Sequence, residues 1–158
     1  MADYRRSLAW AVALGVGMAV AAGGSLAKID AAKAVADRQA NYKQLGGAFK
    51  AINDQLKAET PDMAVIKASA RKMADLGAQA GTWFPKGTGP SKNYKTGALP
   101  EIWKDSAGFA AAAAKLKAET AKLAAAADSG DIAAVKAQIP PTGGACKGCH
   151  DKYRAKPA

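Results

Sequence analysis

Apolar side chains recur at alternating intervals of three and four along much of this 158-residue chain, and that interval admits α-helix and little else. Across residues 28–57 they fall at Val35, Tyr42, Leu45, Phe49, Ile52 and Leu56, all on one helical stripe. Gly46 and Gly47 sit inside that helix, where each costs about 1 kcal/mol against alanine; close approach of something to the backbone is expected there. A second stripe, Ile66, Ser69, Met73, Leu76, Ala80 and Trp83, follows a start with Thr60 as N-cap and Pro61 at the first helical position, and Pro85 stops it. Residues 85–97, PKGTGPSKNYKTG, read as an irregular loop. Pro100 opens a third helix in which Ile102, Phe109, Leu116 and Leu123 recur every seven residues, and the alanine run at 110–114 favours helix and close packing. ADSGD breaks it, and a fourth segment begins near Asp131 with Ile132, Val135 and Ile139. IPPTGG then places two prolines where the last helix would run on, so a break or kink is expected. No segment alternates with period two, so no strands are expected. Four amphipathic stretches with short connections predict an all-α fold, an antiparallel four-helix bundle, which builds cofactor sites between facing helices.

The first residues stand apart from this pattern. Arg5 and Arg6 precede the uncharged apolar run LAWAVALGVGMAVAAGG, and SLA at 25–27 supplies the small residues of a cleavage site. Residues 1–27 therefore read as a secretory signal peptide, with 28–158 as the mature domain; four glycines and the short run argue against a permanent membrane anchor. The mature part carries 21 basic and 12 acidic residues, a formal charge of +9. That excess suits acidic partners. It is spread along every segment rather than clustered with aromatics, which argues against nucleic acid.

The chemistry concentrates near the C-terminus, in GGACKGCHDKYRAK. Cys146, Cys149 and His150 are the only cysteines and the only histidine of the chain. On a helix they occupy i, i+3 and i+4, so all three project from one face. A structural zinc site usually takes four such ligands, and only three exist here. A thiol–disulfide exchange site is expected after a strand of an α/β fold, and no strand is foreseen. A plain disulfide would leave the adjacent histidine without a purpose. Covalent haem attachment uses every member: two thiols one helical turn apart join the two vinyl groups, and His150 is held beneath the iron as proximal ligand.

With this motif at the end of a four-helix chain, the sequence resembles the class II c-type cytochromes, the family of cytochrome c′ and the low-spin cytochrome c-556 type. DRQANYKQLGGAFKAI is similar to the first-helix signature, WFPKGTG to the end of helix two, ALPEIWKDSAGF to the start of helix three, and CKGCHDKYR to the haem-binding end. The resemblance implies one haem c held by thioethers from Cys146 and Cys149, with His150 on the iron. It implies that Arg38 and Gln39 lie near the haem propionates, Thr96 near the haem edge, and Arg154 against the proximal face. Trp83, Phe84, Trp103 and Phe109 are expected to pack the core or the pocket. Tyr42 falls where resemblance to the c-556 type would imply a methionine completing the iron's coordination, and the methionines of the mature chain, Met63 and Met73, lie off that pattern. A phenol titrating near pH 10 needs help to ionise, so Tyr42 is expected to be a bulky distal residue beside a five-coordinate, high-spin iron.

Two roles follow as expectations, with a haem-free thiol oxidoreductase using Cys146 and Cys149 as a third alternative. The first is an exported, periplasmic one-electron carrier whose lysines, including Lys147 and Lys152, steer an acidic redox partner. The second is binding of nitric oxide or carbon monoxide behind Tyr42. The resemblance also suggests a homodimer. With no second histidine and no acid–base pair evident beside the iron, turnover catalysis is not expected.

Overall fold

The protein is described here by a computed structural model covering residues 30–156, so the leader assigned to residues 1–27 lies outside the described residues. Four long helices form the bundle: α1 (Ala31–Lys57), α2 (Met63–Gln79), α4 (Ser106–Ser129) and α5 (Ile132–Tyr153). A single turn, α3 (Glu101–Lys104), precedes α4, and a 3-10 turn at Ala80–Thr82 extends α2. No strand occurs among the described residues; two isolated backbone bridges, Ser91 with Tyr94 and Ala98 with Arg154, are the extended pairings found.

The predicted stripes face inward. Val35, Leu45, Ile52, Ile66, Met73, Leu123 and Val135 are buried, as are Ile102, Phe109 and Leu116 of the seven-residue repeat. Each such side chain contributes on the order of 1.5–3 kcal/mol by leaving water. Neighbouring helices run antiparallel, as their contacts require. Gln55 near the end of α1 accepts from the Asp62 amide at the start of α2, whereas Tyr42 earlier in α1 meets Trp83 beyond the end of α2. Likewise Arg71 pairs with Asp128 while Gly81 lies against Ala113. Close backbone pairing links α1 to α2, α2 to α4 and α4 to α5.

The α2–α4 seam is tight because of Gly77, which is buried. A Cβ on it would stand 2.4 Å from the Thr120 hydroxyl oxygen, so α2 reaches α4 only through a residue without a side chain. Thr120 is itself fully buried, and its hydroxyl donates to the Leu116 carbonyl at 2.9 Å.

Helix boundaries depart from the sequence reading at three places. α2 starts at Met63, not Pro61: Asp62 is the N-cap, its carboxylate accepting from the Ala64 amide at 2.7 Å and the Val65 amide at 3.3 Å. An aspartate placed to take two orphan amides wins over Thr60. The third helix is split: Asp105 leaves helical geometry (φ −109°, ψ 59°) after one turn and recaps α4 by accepting from the Gly108 amide. Finally, α5 runs through Pro140 and Pro141 without interruption. The bonds these prolines cannot make would have gone to the carbonyls of Lys136 and Ala137, and all four residues are exposed to water. The expected start near Asp131 holds, with Gly130 at φ +79° ending α4 and Asp131 capping α5.

Candidate haem site

Between α1, the 84–98 loop and α5 lies a cavity of about 710 Å³, lined largely by apolar side chains. That volume falls within the roughly 300–1,000 Å³ typical of cofactor sites. α5 presents Cys146, Cys149 and His150 to it. Across from them stand Tyr42, Leu45, Gly46 and Phe49 of α1, with Phe84, Ile102, Phe109 and Leu116 closing the interior.

Gly46 and Gly47 resolve differently from the sequence expectation. A Cβ on either would meet no protein atom within 4 Å, so no neighbouring backbone or side chain approaches them. Gly46 borders the cavity instead. Its missing side chain widens the floor on which a flat cofactor would rest.

Arg38 fills the one gap in the α1 stripe, between Val35 and Tyr42, and is 2% exposed. Its guanidinium donates to the Thr88 hydroxyl at 2.9 Å, to the Thr88 carbonyl at 2.8 Å and to the Thr96 hydroxyl at 2.8 Å, and lies 4.7 Å from the centre of the Phe84 ring. Withdrawal from water lowers its pKa, yet an arginine stays charged at any ordinary pH. No carboxylate among the described residues pairs with it. A buried cation with neutral partners, bordering a cavity, is complementary to an anionic group placed there. Gln39 lines the same rim and donates to the Lys95 carbonyl at 2.9 Å. Thr96 receives Arg38 and also the Ala98 amide at 3.2 Å.

Tyr42 packs edge-on against Trp83, with ring centres 5.0 Å apart, and 6.2 Å from Phe84. Burial pushes its phenol pKa well above the usual value, helped by the nearby Cys149 and Cys146 and opposed by Arg38. The hydroxyl therefore keeps its proton. Phe84 and Phe109, 4.9 Å apart, pack the cavity wall, and Trp103 packs the adjoining core beside Phe84, its indole donating to the Phe84 carbonyl at 3.1 Å.

The last turn of α5 is fixed from two sides. The Leu99 amide donates to the Tyr153 carbonyl at 3.0 Å and the Ala155 amide to the Gly97 carbonyl at 2.8 Å, so the loop and the C-terminal segment are stitched together. Tyr153, 3% exposed, stacks edge-on with Phe109 and donates its hydroxyl to Asp105 at 2.7 Å. Gly108 makes room for this contact, since a Cβ there would clash with the Asp105 carboxylate and the Tyr153 hydroxyl. Arg154 follows as the C-cap residue of α5 and lines the cavity.

The donor set fits a haem and not its competitors. Burial pushes both thiol pKa values up, the opposite of an activated redox cysteine. No group of three His, Cys, Asp or Glu side chains among the described residues is arranged to hold a metal ion directly, so zinc has no cage here. Partial withdrawal from water, then the positive charge of Arg154, lowers the His150 pKa, leaving at neutral pH an unprotonated ring nitrogen. Two thiols and a neutral imidazole on one helical face, opening on an apolar cavity with an unpaired guanidinium, define a haem c-binding four-helix bundle.

Comparison with known proteins agrees. Residues 33–154 match the family described as Cytochrome C′. A cytochrome c′ of Rhodopseudomonas palustris is 38% identical over 151 residues, 95% of this chain and 94% of that relative. A solved cytochrome c′ described as having an unusual ligand-controlled dimer dissociation superposes with TM-score 0.77 at 30% identity, covering 82% of this chain and 100% of the other. The nitric oxide complex of a mutant cytochrome c prime from Alcaligenes xylosoxidans gives TM-score 0.71 at 34% identity, covering 80% and 97%. The chain belongs to the cytochrome c′ family, and carries one haem c attached through Cys146 and Cys149.

All eight residues singled out in the sequence, Arg38, Gln39, Tyr42, Thr96, Cys146, Cys149, His150 and Arg154, line this one cavity. Sequence reasoning missed Thr88, fully buried behind Arg38, and the pair Asp105–Tyr153. An arginine in the gap of an apolar stripe was the available signal that a hydroxyl-bearing loop must come to meet it. Of the lysines expected to steer an acidic partner, Lys147 pairs with Asp151 and Lys152 with Asp105.

Proposed function

We propose that the protein is a one-electron carrier in which His150 is the only side chain bound to the haem iron, leaving the Tyr42 side five-coordinate and high-spin. Haem supplies the Fe(II)/Fe(III) couple; the chain supplies its seat. One observation carries the reading: besides the motif itself, the cavity is lined by no methionine and by two phenols, of which burial keeps Tyr42 protonated and Tyr153 gives its hydroxyl to Asp105, while the lysines Lys43 and Lys156 belong to its charged mouth. Met73 is fully buried in the core and Met63 packs against that core, so neither reaches the cavity. Arg38 supports the seat by offering its charge to a propionate. Thioether attachment outside the cytoplasm agrees with the exported, periplasmic location read from residues 1–27, and no helix among the described residues is long and apolar enough to cross a membrane. No carboxylate lines the cavity, which favours a carrier over an enzyme of turnover.

A second reading, gas binding, rests on the same protonated Tyr42 and on the nitric oxide complex of the Alcaligenes relative. Homodimer formation, with ligand coupling of the kind named for the other solved relative, belongs to this reading. The visible spectrum of the reduced protein with and without carbon monoxide tests both. A high-spin spectrum converted by carbon monoxide is expected; a methionine–iron charge-transfer band would overturn the five-coordinate assignment. Replacing Tyr42→Met should move the spectrum toward low spin, and no change would place Tyr42 away from the iron.

A further inference from the structure

The positive charge of this chain is not distributed evenly with respect to its counter-charges. Seven ion pairs join described residues, and none of their fourteen members lines the haem cavity. The mouth of that cavity carries Lys43 from α1 and Arg154 and Lys156 from the C-terminal segment, with no aspartate or glutamate. Lys95 joins them, because its carbonyl is held by Gln39 of the same rim. The loop that brings it there extends a stretch, residues 76–100, with three lysines and no acidic residue. None of the four lies within ion-pair distance of a carboxylate among the described residues.

We propose that Lys43, Lys95, Arg154 and Lys156 form a docking collar around the haem mouth for an acidic redox protein. The proposal rests on the electron-carrier reading and replaces Lys147 and Lys152, both neutralised by their own aspartates, as its recognition residues. Haem brings two propionates, and the collar together with the buried Arg38 outnumbers them, so a positive rim remains after the cofactor is seated. Its placement matters more than its size. A rim of unpaired charge steers an acidic partner onto the one surface where the cofactor is near, and does so most strongly at low salt. A membrane is a poorer occupant: Val65, on α2, is the one large hydrophobic side chain exposed among the described residues, so the collar carries no exposed large apolar side chain for insertion.

Zero-length carbodiimide cross-linking reads the interface directly. The haem-loaded protein is mixed with an acidic [2Fe–2S] ferredoxin as probe at low salt, and the joined lysines are identified by mass spectrometry. Cross-links concentrated on Lys43, Lys95 and Lys156, falling at least tenfold at 0.5 M salt, are expected. Cross-links spread evenly over Lys50, Lys67, Lys115 and Lys136 as well would overturn the collar. So would binding to phosphatidylglycerol vesicles that exceeds binding to the ferredoxin and needs the same lysines. The variant Lys43→Glu/Lys95→Glu/Lys156→Glu should lose association with the ferredoxin at least tenfold, against less than twofold for Lys115→Glu/Lys117→Glu. Should the reversal impair haem loading, Lys43→Gln/Lys95→Gln/Lys156→Gln with the wild-type salt titration decides the point in its place. Stopped-flow reduction separates docking from electron transfer. Collar cross-links without haem reduction would remove the carrier reading and keep the collar, whereas reduction with scattered cross-links would do the reverse.

Discussion

Two opposite sides of the bundle use small residues for contrary ends. Between α2 and α4, Gly77 is spent on contact: the Thr120 hydroxyl occupies the space its side chain would take, and Gly81 likewise leans on Ala113. Along α1 and α5, Gly46, Gly47 and Gly144 face open space, and a cavity lies between the two helices. The same amino acid closes one side of the bundle and leaves the other wide enough for a cofactor. A helical glycine therefore says only that a side chain is unwanted. What lies beyond it must come from the partner helix.

The contrast can be broken most completely on the open side. Replacing Cys146→Ser and Cys149→Ser together should abolish covalent haem, read as loss of haem staining after denaturing electrophoresis; retained stain would refute the attachment. On the closed side, Gly77→Val drives a branched side chain into Thr120 and should destabilise the haem-loaded protein by about 2–3 kcal/mol. Thermal melting checks this, and partial rescue by Thr120→Ala would locate the clash.

The corner joining the two sides is set by Asp105, whose carboxyl is held down to about 2 by Lys152, then the Tyr153 hydroxyl and the Gly108 amide. Since the folded value lies below the ordinary one near 3.9, this contribution is complete above about pH 4 and is lost as pH falls through about 2. Asp105→Asn should narrow the stability gap to wild type steadily across that window; a gap independent of pH there would show that the carboxylate charge is not what matters. The smallest effect is a gain. Gly47→Ala, facing open space in mid-helix, should stabilise by about 0.5–1 kcal/mol. A loss would show that something does approach this backbone.

Much of the fold is legible in the sequence because periodicity and covalent chemistry are local signals. The inward stripes, the Asp131 start and the three-residue haem face all follow from spacings of three and four. The rest depends on what distant segments bring. Thr60 and Asp62 both suit a cap, and only the Gln55 side chain reaching the Asp62 amide shows which one the loop favours. In sequence Arg38 shows its charge, but its burial depends on Thr88 and Thr96, fifty and fifty-eight residues away. The proline pair reads as a break because a missing amide is usually costly; here the two residues left without those bonds, Lys136 and Ala137, are exposed to water.

That same pair shapes how α5 holds together. Without amides at Pro140 and Pro141, the backbone ladder lacks two consecutive rungs between residues 136–137 and 140–141. Across the gap the helix is joined by ring geometry, by the Thr142 hydroxyl donating to the Gln138 carbonyl at 2.8 Å, and by packing on α4. Amide exchange along α5 should accordingly fall into two blocks that open independently, Val135–Ile139 and Ala145–Tyr153. The segments on either side belong to one helix but not to one fate: the haem-bearing block is tied to its cofactor and the loop, and the other to the apolar core.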